Sequence, residues 1–237
     1  MEWSDAGLVL GLFKHGENAA IADVLTPCHG RYRGLVRGAA GKRLRGVLQP
    51  GNAVCAHWRA RLAEHLGAFT LELETAHAAA LMDAPEKLAA LSALCALTSF
   101  ALPERAPHRA VYDGLGAAIA AIRSRETLVW QAVMVRFELG LLDELGFALD
   151  LSKCTVTGER DDLAYVSPRS ARAVSRGGAG GYAARLLALP AFLLGSQAGA
   201  PARGDIADGF RLTGFFLERH LGPLPAARGR FLDRIGG

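Results

Sequence analysis

The hydrophobic period of the chain changes once, near Thr75, and that change restricts the fold more than any other feature. From Val54 to Leu62 the residues alternate strictly. Val54, Ala56, Trp58, Ala60 and Leu62 fall on one face, and Cys55, His57, Arg59 and Arg61 on the other. A period of two belongs to a half-buried strand. Leu71 and Leu73 repeat it among Thr70, Glu72 and Glu74, with turn residues at Gly51-Asn52 and Leu66-Gly67. The short runs Leu8–Leu10 and Ile21–Leu25, separated by His15-Gly16-Glu17-Asn18, and a third strand carrying Arg31, Arg33 and Arg37 complete the set. About five such strands fit a small closed barrel, which removes its own sheet edges.

Beyond Thr75 the period is helical. Glu86–Leu102, Arg109–Arg123 and Thr127–Leu145 are rich in Ala and Leu at i, i+3 and i+4, and are bounded by Pro85, Pro103, Pro107 and Gly146. They read as three helices of one bundle. Asp205–Leu221, with Ile206, Phe210, Phe216, Leu217 and Leu221 on one stripe, and Ala226–Ile235 predict two more. Ser152–Gly181 is polar, turn-rich and Gly-rich near its end, and reads as an irregular insertion. The expected fold class is therefore α+β in two domains: a β-barrel over 1–77, then an all-α domain over 78–237 with an irregular insertion at about 150–182.

Composition excludes several classes. The uncharged run Leu88–Leu102 is shorter than the roughly 20 residues a membrane-spanning helix needs, so it reads as a buried helix. Glu2 and Asp5 stand where a secretory leader would be basic, and Cys28, Cys55, Cys95 and Cys154 form no CxxC pair. Reduced thiols in a cytoplasmic protein are the expectation.

Charge placement carries more than the net value of +4. No acidic residue stands between Asp23 and Glu64, while Arg31, Arg33, Arg37, Lys42, Arg43, Arg45, Arg59 and Arg61 do. From Glu64 onward, 18 basic residues face 19 acidic ones. A concentrated positive segment attracts polyanions, because each Lys or Arg that meets a phosphate releases condensed counterions. The expectation is a phosphate-tracking groove made of arginines on strand faces and a flexible basic loop from Gly38 to Gly46. Tyr32 and His57 are candidate stacking surfaces; Trp58 is another, although its pattern points it into the core.

Other motifs fail on their chemistry. Gly41-Lys42 is no phosphate-binding loop, since Val36 occupies the first glycine position and Arg43 replaces the magnesium-holding Ser or Thr. Cys55 and His57 share a face but lack a second ligand pair. Cys28-His29 are adjacent on an extended chain and point apart, and Asp161-Asp162 have no partner carboxylate. No catalytic, cofactor or metal site is expected. Arg123 and Arg136, near Leu139, Leu142 and Phe147, read either as rim residues of an ordinary core or as a pocket for an acidic-aromatic peptide tail.

With these residues in view, the chain resembles the RecO family of DNA repair proteins. The resemblance rests on Gly16-Glu17, Val24-Leu25-Thr26, His29-Gly30-Arg31, Gly34-Leu35-Val36-Arg37-Gly38, Leu48-Gln49-Pro50-Gly51 and Trp58-Arg59-Ala60-Arg61. It continues through Phe137-Glu138-Leu139, Leu145-Gly146-Phe147, Val166-Ser167-Pro168 and Leu189-Pro190, in order over nearly the whole length, and is closest in style to the proteobacterial branch. It implies an N-terminal OB-fold, a helical domain and no catalysis. It also implies binding of single- and double-stranded DNA, strand annealing, and partnership with RecR and single-strand-binding protein in loading RecA. The family's basic DNA-binding residues carry over to Arg31, Arg33, Arg37, Lys42, Arg43 and Arg45, and its docking site for the acidic tail of single-strand-binding protein to Arg123 and Arg136. Some members hold zinc with two CxxC pairs in the insertion. Here Cys154 remains, but Thr157, Ser175 and Gly178 stand at the other three positions, so no zinc is expected.

Overall fold

The computed structural model describes residues 1–62, 64–195 and 201–236. Strands β1 (Glu2–His15), β2 (Ala19–Thr26), β3 (Gly30–Arg37), β4 (Ala53–Arg59) and β5 (Ala68–Thr75) close into a barrel in the order β1-β2-β3-β5-β4, that of an OB-fold. β1 is far longer than the run Leu8–Leu10 that announced it. Its first half pairs with β4, from Glu2 opposite Arg59 to Leu8 opposite Ala53, and its second half with β2, from Leu8 opposite Leu25 to His15 opposite Ala19. One strand thereby closes the hoop.

Small side chains fill the middle of the barrel. Val9, Ala22, Val24, Val54 and Ala56 are fully enclosed, and Trp58 and Phe69 fill one end. The alternation read from Val54 onward holds as far as Arg59, where β4 ends, so Leu62 lies beyond the strand and is exposed. Leu73 is likewise exposed, near the end of β5. The β4–β5 loop is moulded on Trp58, whose Nε1 donates to the Leu66 carbonyl at 3.2 Å. Gly67 has φ +67°, and a Cβ there would approach the indole to 2.4 Å, so only glycine fits.

The segment expected as a flexible loop contains helix α1 (Lys42–Val47). Arg45 N–H donates to Gly41 and Leu48 N–H to Leu44. Leu44, Val47 and Leu48 share one side and pack on the barrel core. Three glycines and three cations made the segment read as a loop; burial of that short stripe decides for helix.

The remaining helices are α2 (Pro85–Ala101), α3 (Arg109–Ile122), α4 (Thr127–Glu144), α5 (Arg176–Ala179), α6 (Arg203–Leu221) and α7 (Ala226–Gly236). They do not form one bundle. The chain divides into two compact units, Met1–Arg123 with Leu224–Gly237, and Ser124–Pro223. In the first, α2 packs on β1 and α7, and α3 on β2. Cys95 on the inner face of α2 is fully buried, and burial pushes that thiol up to about 12.

In the second unit α4 packs on α6, closely enough that a Cβ at Gly209 would approach Val135 to 2.9 Å. Buried Glu138 accepts a hydrogen bond from the Thr213 hydroxyl. The expected irregular insertion contains a three-stranded antiparallel sheet of β7 (Ala173–Ser175), β6 (Leu163–Val166) and β8 (Leu187–Ala188), in that order. These strands are too short for an alternation to be legible. No described helix is long and apolar enough to cross a membrane.

Candidate nucleic-acid interface

β3 distributes its arginines unequally. Arg31, at its start, is buried at 7% exposure beside the fully buried Asp23. Its Nε donates to both Asp23 carboxylate oxygens at 3.0 Å, its Nη2 to one at 2.8 Å, and its Nη1 to the Leu102 carbonyl at 2.9 Å. The Ser99 hydroxyl also donates to Asp23, at 2.7 Å. Arg33, two residues on and on the same side, lies 3.5 Å from Asp23 and 3.3 Å from Glu104, with its guanidinium over the Phe13 ring. The sequence places all three β3 arginines on one free face. That expectation fails for Arg31, which is inside, and for Arg33, which is paired; the carboxylates responsible lie outside the acid-free stretch.

Arg37, at the other end of β3, is exposed, and so are Lys42, Arg43 and Arg45 on α1 and Arg59 and Arg61 at the end of β4. Arg37, Arg43, Arg59 and Arg61 line one open cleft of ≈ 1160 Å³ between α1, the ends of β3 and β4, and β5. Among the described residues none of these four makes a salt bridge or a side-chain hydrogen bond. Leu35, Leu44, Phe69 and Thr70 lie among them, with Glu2 and Glu72 as the carboxylates on the wall. Lys42 and Arg45 stand outside the cleft lining, and Arg45 donates to the Ala40 carbonyl at 3.2 Å. Four side chains drawn from three separate elements thus converge. Their positive field on a concave surface, net of Glu2 and Glu72, suits a chain of phosphates.

The apolar lining of that cleft was not legible in the sequence, because Leu35, Leu44 and Phe69 come from three separate elements, β3, α1 and β5. The candidate stacking residues lie elsewhere. Trp58 is enclosed at 2% exposure. Tyr32 meets Trp3 and Trp58 edge-on and carries the Arg105 guanidinium over its ring. His57 lies between the Ser4 hydroxyl, 2.6 Å from Nδ1, and Cys55 Sγ, 3.6 Å from Nε2. Burial, then Glu74, Glu72 and Asp5, push the Cys55 thiol up, the reverse of what a nucleophile requires.

Arg123 caps α3 in the first unit, and with burial it holds His77 below its ordinary pKa. Arg136 on α4, in the second unit, donates through Nε at 3.2 Å and Nη2 at 2.7 Å to the Phe192 carbonyl.

In the insertion the four knuckle positions do come together, but the donor set does not fit zinc. Cys154 offers the one thiol, Thr157 and Ser175 offer hydroxyls, and Gly178 offers no side chain. Burial raises the Cys154 thiol, but donors from Ser175 and Thr157 outweigh this and bring it to about 6. Among the described residues no three His, Cys, Asp or Glu side chains are placed to hold a metal.

Comparison with known proteins shows the family of the chain. Residues 1–76 match the family model for the N-terminal part of recombination protein O, and residues 82–228 the model for its C-terminal part. DNA repair protein RecO of Rhodospirillum rubrum is 52% identical over 244 residues, covering 99% of this chain and 96% of the relative. That of Rhodospirillum centenum is 52% identical over 241 residues, covering 99% and 94%. That of Phenylobacterium zucineum is 48% identical over 240 residues, covering 99% and 98%. The chain belongs to the RecO family of DNA repair proteins.

Proposed function

We propose that the chain is a non-enzymatic recombination mediator whose barrel cleft holds the phosphate backbone of DNA through Arg37, Arg43, Arg59 and Arg61, with Lys42 and Arg45 adding charge at its margin. The observation that carries this reading is the convergence of those four unpaired arginines on one open concavity, while Arg31 and Arg33 are neutralised elsewhere. Nothing in the cleft is directed at base edges by a fixed polar side chain, so recognition is of backbone and carries little sequence preference. Two strands that approach each other repel through their phosphates. Cationic side chains between them lower that repulsion, and complementary strands then pair without any bond being made or broken.

In this reading the protein acts on single- and double-stranded DNA in the cytoplasm, on the nucleoid. With RecR it promotes loading of RecA onto strands coated with single-strand-binding protein. Arg123 on the first unit and Arg136 on the second are separate candidate contacts for that protein's acidic tail, each as a cation that attracts carboxylates.

The test is binding and annealing of fluorescent oligonucleotides across a salt series. With about four phosphates engaged on a single strand, log affinity falls with log salt at a slope near −3. Affinity for partner proteins with no measurable DNA binding at low salt would replace this reading with that of an OB-fold protein-interaction module. A parallel annealing series with single-strand-binding protein lacking its acidic tail separates the DNA role from the partner role.

A further inference from the structure

We propose that the sulfur of Cys154 is the structural centre of the knuckle in residues 150–180, closing by hydrogen bonds a loop pair that in other hands needs a metal ion. Cys154 is 1% exposed. Its Sγ accepts from Ser175 N–H at 3.2 Å, the Ser175 hydroxyl at 3.3 Å, and Val156 and Thr157 N–H at 3.4 Å each. Ser175 in turn caps α5, its hydroxyl accepting from Gly178 N–H at 3.1 Å. Two stretches with the same i, i+3 spacing, 154/157 and 175/178, therefore face each other across a single sulfur.

The geometry is collapsed relative to a metal centre. A tetrahedral zinc with bonds of about 2.3 Å keeps its donor atoms about 3.8 Å apart. Here Sγ and the Ser175 oxygen are 3.3 Å apart, and a Cβ at Gly178 would lie 2.9 Å from Sγ and 3.1 Å from that oxygen. The sulfur occupies the middle of the knuckle, and glycine at 178 makes room for it.

The surrounding elements cannot hold themselves. β6 and β7 span 4 and 3 residues and α5 spans 4. Pieces of that length are not stable without a tether. The backbone bonds Cys154 N–H to Glu159 and Gly158 N–H to Cys154 fix the first loop, and the Thr155 N–H bond to Ala173, together with the bonds from Ser175 to the sulfur, joins it to the second.

Three measurements on the full-length chain test this. The purified protein contains no more than trace zinc, and a chelator shifts its Tm by less than about 1 °C; stoichiometric zinc whose removal collapses the insertion overturns the proposal. In Cys154→Ala, hydrogen exchange at Val156, Thr157, Ser175 and Gly178 accelerates at least about tenfold while the barrel amides are unchanged. Unchanged exchange at those four sites overturns it, and Cys154→Val, which also removes the acceptor, supplies the same reading if the alanine variant does not fold. The triple variant Thr157→Cys, Ser175→Cys, Gly178→Cys binds one cobalt(II) with the absorption of a tetrahedral thiolate site, and its Tm becomes sensitive to chelator. Gly178 is outside the left-handed region, and the 2.9 Å approach of a Cβ there to Sγ is relieved when the knuckle widens to metal-donor spacing. A folded triple variant that binds no cobalt removes the claimed convergence.

Discussion

Arginines at the two ends of β3 meet opposite conditions. At the start of the strand, Arg31 and Arg33 face Asp23 and Glu104 and are held by them. At its end, Arg37 joins Arg43, Arg59 and Arg61 on an open cleft with no carboxylate bonded to any of the four. The difference teaches that a basic stretch of sequence is not yet a basic surface. Whether a cation is available depends on which carboxylates folding brings to it, and those can come from far along the chain.

The comparison can be broken most decisively at Asp23. Breaking a buried ion pair leaves an uncompensated charge inside, so Asp23→Ala or Arg31→Ala should destabilise the first unit by about 3–5 kcal/mol in urea unfolding. The folded fraction should still bind DNA. Wild-type stability of either variant would mean that Arg31 is not committed to the interior.

Charge reversal at the other end has the complementary signature. Arg37→Glu with Arg59→Glu and Arg61→Glu should weaken single-strand binding by at least about a hundredfold and flatten the salt slope. Its unfolding midpoint should stay close to wild type, because these side chains hold nothing in place. Retained affinity would move the DNA site off the cleft.

Arg33 is the intermediate case. Its pairs are partly exposed, so Arg33→Ala should cost about 0.5–1 kcal/mol and change DNA affinity less than about twofold. A larger loss of affinity would place Arg33 in the binding surface after all. The smallest effect concerns pH. Burial and the Arg123 charge lower the His77 pKa, so folding favours the neutral ring. Stability from this group is present above the ordinary histidine value and is lost as pH falls through the folded one. His77→Gln should flatten that dependence, measured by thermal unfolding between pH 7 and pH 5.

These outcomes also mark what the sequence discloses. The Val54–Arg59 alternation was legible because a barrel wall has one wet and one dry face, and the helix stripes were legible for the same reason. A groove of cations was legible as charge, but which of the eight line it, Arg37, Arg43, Arg59 and Arg61, was not, since three elements must meet to form it. The fate of Arg31 was hidden because Asp23 stands just before the acid-free stretch and Glu104 well beyond it. α1 was hidden because its stability comes from Val47 and Leu48 entering the barrel end. In the insertion, the family resemblance pointed to Cys154, Thr157, Ser175 and Gly178 as knuckle positions, while the hydrogen bonds that Cys154 accepts depend on backbone geometry that side-chain identity does not encode.

The cleft beside α1 has no roof, and β3 and β5 share a single register pair, Leu35 with Ala68, along its floor. A polymer enters such a groove sideways. It needs no free end and no threading, so an interior stretch of a very long molecule is as accessible as a terminus, and release can begin anywhere along the occupied length.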